Sequence, residues 1–448
     1  MKKKLLPLLS FFFILCVLCP TLTVNAATYN IDFETKSKGI QLINLDTDTV
    51  VYEKNADMKL EPASCTKIMT FIIAVENIDD LNGTKITAKK EVLNLLKDTQ
   101  SSTAGVLEGE TLTAMQLLYY LMVPSGNDAS VVLADYVGNG DQQKFVDMMN
   151  AKAQELGLKN THFMNPHGLH NENHYTTAAD LAVITKYAMN LPHFTEISST
   201  VSYKLPATNV YPKERLIRTT NKMINSNSEG GYYYQYAKGI KTGSHDQAGY
   251  CLVSTAIKNG YSYLCVALGA PSVDANGKTI TEHEEMRDSK KLYQWAFSEL
   301  ELKSIISSDE TVTDIPLAYA WDQDSLLLTA EKSFSTILPA DVSVNSILVE
   351  YNLPEKVEAP IKKGDVIGTA TYTYANQELT TVNLVASESV ERSELLHSLD
   401  VVKNIVTSVW FIVIFSIIIV LLIVYLILAI VYNKKKKKMR KVKKYRDM

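Results

Sequence analysis

Cysteine is scarce in this chain of 448 residues. There are five, and two of them, Cys16 and Cys19, fall in an apolar N-terminal stretch. Cys65, Cys251 and Cys265 remain, an odd number without regular spacing, so no disulfide framework is expected. Internal repeats and low-complexity segments are absent from the body of the chain, which excludes solenoids and flexible tails there. No His-Glu-x-x-His stretch occurs, although His162, His167, His170 and His174 lie close together. A zinc peptidase therefore lacks its usual helix. Positive charge is also short. Setting aside three lysines at the N-terminus, and ten basic residues and one acid at the C-terminus, leaves 32 basic against 48 acidic residues. A body near −16 argues against nucleic acid as a partner and against adhesion to anionic lipid.

What is present is ordinary globular composition, 46% hydrophobic and 21% charged, enough for two domains with real cores. The ends differ from the body. Three lysines, an apolar run from Leu5 to Leu18 and the small-x-small triplet Val24-Asn25-Ala26 read as a signal peptide over 1–26. The apolar core is short for an uncleaved anchor. Asn404 to Asn433 holds no charged residue, and within it Val409 to Tyr432 is 24 residues. At ~1.5 Å per residue that is roughly 36 Å, enough to cross a ~30 Å hydrocarbon layer. A transmembrane helix is expected over 405–432. The ten Lys/Arg that follow, in a tail over 433–448, mark the cytoplasmic side and leave the body of a single-pass protein outside the cell membrane.

Between the ends, hydrophobic periodicity predicts an α+β domain over 27–305. "GIQLINLDTDTVVYEKN" reads as a hairpin. "SCTKIMTFIIAVENI" and four later segments have helical apolar faces. "GIKTGS", "GYCLVSTAIK" and "YSYLCVALGA" read as strands, the last two joined by the turn pair Asn259-Gly260. A closing helix follows. The expected architecture is an antiparallel sheet with a helical cluster. Residues 306–392 lose the helical pattern and read as a small all-β domain, and 393–404 form a polar connector. With Asn259-Gly260 in the turn, Lys258 pairs with Tyr261. Cys251 then faces Leu268 and Cys265 faces Ser254, on opposite sides, so these two cysteines are not expected to bond.

Three short motifs carry chemistry. Ser64 and Lys67 lie three residues apart at the head of an apolar helix, the chain's one Ser-x-x-Lys. A serine needs an adjacent base to become a nucleophile, and a lysine in dry or positively charged surroundings can be that base. Ser125-Gly126-Asn127 sits at a turn between helices, where such residues otherwise serve as caps. Lys241-Thr242-Gly243 ends a strand. Lys and Thr can hold a carboxylate there, and the glycine lets another backbone approach.

In this order, with glycine in the middle of the second motif where the set has Ser-Asp-Asn, the three match the serine β-lactamases and penicillin-binding proteins. With "PASCTKIMT", "SGNDAS", "FMNPHGL" and "KTGSHDQAGYCLVSTA", residues 30 to 392 resemble the low-molecular-mass penicillin-binding proteins, serine-type D-alanyl-D-alanine carboxypeptidases. "APIKKGDVIGTATYTY" is similar to that family's C-terminal β domain. The resemblance implies a β-lactamase/transpeptidase-like fold and no cofactor or metal. It implies catalytic roles for Ser64, Lys67 and Ser125, and substrate binding by Asn127, Lys241, Thr242, Gly243 and Ser244. Backbone N–H groups of Ser64 and Ser244 would form the oxyanion hole. The implied partners are peptidoglycan stem peptides and β-lactam antibiotics. Two departures stand out: Ser244 and then His245 follow Lys-Thr-Gly, where the family often has histidine at once, and the anchor reads as a full span. The competing readings are a β-lactamase or D,D-endopeptidase of the same fold, and a catalytically silent wall-binding protein.

Overall fold

The computed structural model describes residues 29–446 apart from 100, 275 and 309, with side chains to residue 437. The expected signal peptide lies outside the described residues. The chain forms two compact units. One holds the N-terminal portion to Ile305 with 335–348 and 373–379, and the other holds the remainder.

The first unit is built on five antiparallel strands: β1 (Gly39–Asn44), β2 (Thr49–Lys54), β3 (Ala237–His245), β4 (Gly249–Lys258) and β5 (Tyr261–Ala270). Their order is β2-β1-β5-β4-β3. Both faces of the sheet are buried, and side chains alternate between two cores. Cys251, Val253, Leu264 and Val266 face one core, while Leu252, Ala256, Cys265 and Ala267 face the other. The Asn259-Gly260 turn sets the β4–β5 register as expected, from Lys258↔Tyr261 to Leu252↔Ala267. Beyond it a bulge shifts the pairing to Tyr250↔Ala270, so the expected Cys251–Leu268 pair does not form. All three described cysteines are free, and Cys251 and Cys265 lie on opposite faces.

The first core is filled by helices α1 (Lys67–Asn77), α2 (Ala114–Met122), α3 (Asn127–Val137), α4 (Gln142–Glu155) and α5 (Ala178–Met189). Three of their N-termini are capped by side chains that satisfy free backbone donors: α2 by Thr113 with Gln116 as a reciprocal box, α4 by Asp141, and α5 by Thr177. Helix α1 is buried on every side from Lys67 to Ala74. That is the pattern of a central helix rather than a surface one. Helix α6 (Glu284–Glu299) covers the second core through Met286, Leu292, Tyr293 and Ala296.

The C-terminal region contains a six-stranded sheet, outermost strands Leu348–Asn352 and Val357–Glu358, that includes Val366–Tyr374 and Gln377–Ala386. Helix α7 (Glu394–Thr407) follows within the second unit, where Tyr319 Oη donates to Asp400 (2.9 Å). Ser408 turns extended, and α8 (Val409–Arg446) begins after it. Residues 405–407, expected in the span, thus close the preceding helix. Helix α8 is long and apolar enough to cross a membrane from Val409 to Lys437, and Ile412, Leu421 and Leu428 on it are exposed.

Candidate active site

Ser64 lies in a 3₁₀ turn, Ala63–Thr66, rather than in the α-helix itself. With three residues per turn, positions i and i+3 eclipse, which stacks Ser64 directly over Lys67. Lys67 Nζ is 2.8 Å from Ser64 Oγ. It also donates to Asn127 Oδ1 (2.6 Å) and to the His167 carbonyl (3.0 Å), so all three ammonium donors have acceptors. Lys67 is fully buried. Burial first, and the positive charge of Lys241 second, hold its pKa well below the usual lysine range. A neutral amine reverses the Ser64 bond: the hydroxyl then donates to nitrogen.

The second motif packs close to this pair. Ser125 is buried and takes a left-handed backbone, φ +64°. Gly126 has no room for a side chain. A Cβ there would lie 2.6 Å from Ala104 Cβ and 2.9 Å from the Tyr120 carbonyl oxygen. Asn127 opens α3 with its amide oxygen on Lys67. Its neighbour Asp128 accepts from the backbone N–H groups of Ala104, Gly105 and Val106 at 2.8–2.9 Å. That carboxylate ties down the segment from which Ser101 and Ser102 line the cleft.

Strand β3 supplies the third motif. A Cβ on Gly243 would meet the Pro62 carbonyl oxygen at 2.8 Å and the Ser64 nitrogen at 3.0 Å, so glycine alone lets the strand lie against the Ser64 turn. Thr242 Oγ1 pairs with Thr220 Oγ1 (2.5 Å). Ser244 is exposed and lines the cleft with Thr242 and Gly243. Lys241 does not line it. Its ammonium is buried, donates to the Thr242 carbonyl (2.9 Å), and has its pKa lowered by burial to about 8.

These groups surround a cleft of about 220 Å³ whose lining includes Ser64, Ser125, Asn127, Thr220, Thr242 and Ser244. Residues 23–272 match the family model described as D-alanyl-D-alanine carboxypeptidase. The chain belongs to the D-alanyl-D-alanine carboxypeptidase family. Residues 300–392 match the C-terminal domain of penicillin-binding protein 5. The D-alanyl-D-alanine carboxypeptidase DacF of Bacillus subtilis is 30% identical over 358 residues, 80% of this chain and 87% of that protein. A D-alanyl-D-alanine carboxypeptidase of Streptomyces sp. strain K15 is 34% identical over 245 residues, 54% of this chain and 83% of that one. The crystal structure of penicillin binding protein 5 from Haemophilus influenzae superposes with a TM-score of 0.62 at 25% identity, covering 81% of this chain and all of that one.

As a D-alanyl-D-alanine carboxypeptidase the chain is a serine hydrolase. Its cleft also contains groups that sequence reasoning did not single out. Thr220 lies in a loop far from any motif, and only the fold brings its hydroxyl to Thr242. Asp128 reads as an ordinary helix-start acid until its three loop N–H partners are seen. His174 Nε2 bonds Thr66 Oγ1 inside the Ser64 turn. The other histidines of that stretch face separate partners: His162 the Asn173 carbonyl, His170 Glu61, and His167 the Leu169 N–H. Among the described residues no three metal-ligating side chains converge. His245, one place after the family's usual histidine, turns its Nε2 toward Glu61 at 3.4 Å.

Proposed function

We propose that this enzyme removes the terminal D-alanine from peptidoglycan stem pentapeptides through an acyl-enzyme on Ser64. The observation that carries the reading is the 2.8 Å approach of a fully buried lysine amine to the Ser64 hydroxyl. Ser64 Oγ attacks the carbonyl carbon between the two D-alanines, and its proton passes to neutral Lys67. The developing oxyanion is held by the Ser64 and Ser244 N–H groups. Lys67 returns the proton through Ser125 to the leaving amine, the C–N bond breaks, and D-alanine departs. Water then hydrolyses the ester and restores Ser64. Asn127 orients Lys67 and the substrate amide. The hydroxyls of Thr242 and Thr220 receive the terminal carboxylate, and the charge of the neighbouring Lys241 favours it. Shortening the stem peptide removes the donor for cross-linking. A β-lactam has a carbonyl and a carboxylate in similar places, so penicillin should acylate the same serine.

The proposed layout is a signal peptide over 1–26, a catalytic domain over 27–305 and a β domain over 306–392. A connector, one span and a basic cytoplasmic tail follow, with the catalytic domain outside. Mass spectrometry after benzylpenicillin treatment tests the core of this reading. One adduct is expected, mapped to the peptide containing Ser64, with D-alanine released from a soluble pentapeptide. Ser64→Ala should abolish both. Full labelling of that variant would overturn the assignment.

A further inference from the structure

A second cavity, of about 820 Å³, lies away from the catalytic cleft in the same unit. Its size is in the range of small-ligand clefts, about 300–1,000 Å³. The N-terminal segment before β1, the C-terminal half of α6 and the 339–341 turn form its walls. Two half-buried aromatic rings line it, Phe33 and Trp295, both packed on the second core and therefore held in place. Around them stand Asp32, Gln294 and Asp341, all exposed, and Lys291, whose ammonium sits over the Phe33 ring at 5.9 Å.

The chemistry of this lining selects its occupant. Flat aromatic faces offer a surface for the C–H face of a pyranose ring, and carboxylates and amides accept and donate to hydroxyls. Three carboxylates, Asp32, Glu299 and Asp341, stand against the one Lys291, which disfavours a phosphate-bearing chain. A neutral, hydroxyl-rich ligand fits both features.

Helix α6 links this cavity to the catalytic cleft. Met286 in its first turn lines the cleft, and Trp295 lines the cavity. Nine residues of helix separate them, about 14 Å along the axis and half a turn around it.

We infer that this cavity is a glycan subsite, which holds a neutral N-acetylated sugar strand of the polymer whose stem peptides reach Ser64. The inference rests on the stem-peptide reading above for its purpose, though not for its binding chemistry. It makes the enzyme prefer polymer-linked over free peptide.

The test uses the full-length protein in a detergent without a sugar headgroup, with N-acetylchitotetraose as probe, by calorimetry and ligand-observed NMR. Saturable binding is expected for wild type and equally for Ser64→Ala, since no catalysis is involved. Trp295→Ala should weaken it by roughly tenfold, the worth of one stacked ring with its buried area. Asp32→Ala combined with Gln294→Ala, both at exposed positions, should weaken it without disturbing the core. The same double variant should release D-alanine from free pentapeptide at the wild-type rate and more slowly from glycan-linked pentapeptide. Absence of saturable binding to wild type, or equal binding and equal substrate preference in the double variant, overturns the subsite. Failure of wild type to cleave free pentapeptide would overturn the stem-peptide reading instead, and the titration would still decide the subsite.

Discussion

His174 Nε2 lies 2.8 Å from Thr66 Oγ1, inside the turn that carries Ser64. The Met164 N–H donates to the other ring nitrogen, and Thr66 donates in turn to the Ala63 carbonyl at 2.7 Å. The ring is therefore a neutral link in a chain of hydrogen bonds, and burial pushes its pKa down to about 3. Ala63 itself has φ +46°, a backbone that needs such support. His174→Ala should slow penicillin acylation by up to about a hundredfold, the scale of a small misplacement of the nucleophile. The loss should be the same from about pH 5 to 8, where an ordinary histidine titrates and this one does not. Stopped-flow acylation across that range checks it. A loss confined to the acid side would mean that the ring carries a proton there.

In the proposed mechanism the two buried lysines set opposite limbs of the pH profile. Lys67 has to be neutral, so acylation should rise as pH climbs through its lowered pKa. Lys241 has to be charged, so the rate should fall as pH passes about 8. Lys241→Gln removes a positive charge that lowers the Lys67 pKa. In that variant the Lys67 pKa moves up, the acid limb shifts to higher pH, and the alkaline limb disappears. An acid limb that stays in place would show that the two ammonium groups are not coupled.

Thr220 and Thr242 share one short hydroxyl contact at the cleft wall. Thr220→Val keeps the shape and removes one of the two hydroxyls proposed to receive the substrate carboxylate. A net hydrogen bond of about 1 kcal/mol corresponds to a KM rise of roughly fivefold for the free-acid peptide. The peptide amidated at its terminal D-alanine should be poor for the native enzyme and unchanged by the substitution. Equal cleavage of acid and amide by the native enzyme would remove the carboxylate role.

The three buried thiols should be inert. Burial pushes Cys65 and Cys265 up to about 12 and raises Cys251 well above the ordinary thiol value. Thiolate is the reactive form, so native protein should resist alkylation and unfolded protein should take three labels in the described region. A non-reducing peptide map should show no Cys251–Cys265 link.

Helix α8 predicts resistance to extraction. A spanning helix inserts in an effectively irreversible way, whereas an interfacial helix does not. Full-length protein should stay in the membrane fraction through alkaline carbonate. Truncation after Ser408, where the helices part, should yield soluble protein that still cleaves a short peptide, because every cleft residue precedes Glu299. Release of full-length protein by carbonate would place the segment on the membrane surface.

Local features of this protein were legible in its residues because they depend on neighbours a few positions away. The apolar run from Val409 to Tyr432 specified a long helix, and Asn259-Gly260 specified the β4–β5 register as far as Leu252. The three motifs announced the chemistry through their order. Contacts between distant segments were not legible. The strand β1 lies beside β5, pairing Leu42 with Cys265, a partner more than two hundred positions away that no periodicity indicates. The dryness around Lys67 comes from a helix buried on all sides, and the charge that helps lower its pKa arrives from Lys241, 174 positions later in the sequence. The bulge that takes Cys251 out of register, the glycine contact between β3 and the Ser64 turn, and the Thr220–Thr242 pair are likewise products of packing. Periodicity reports which face of an element is apolar. Which elements then meet, and which charges are stripped of water when they do, depends on how all the buried faces pack at once.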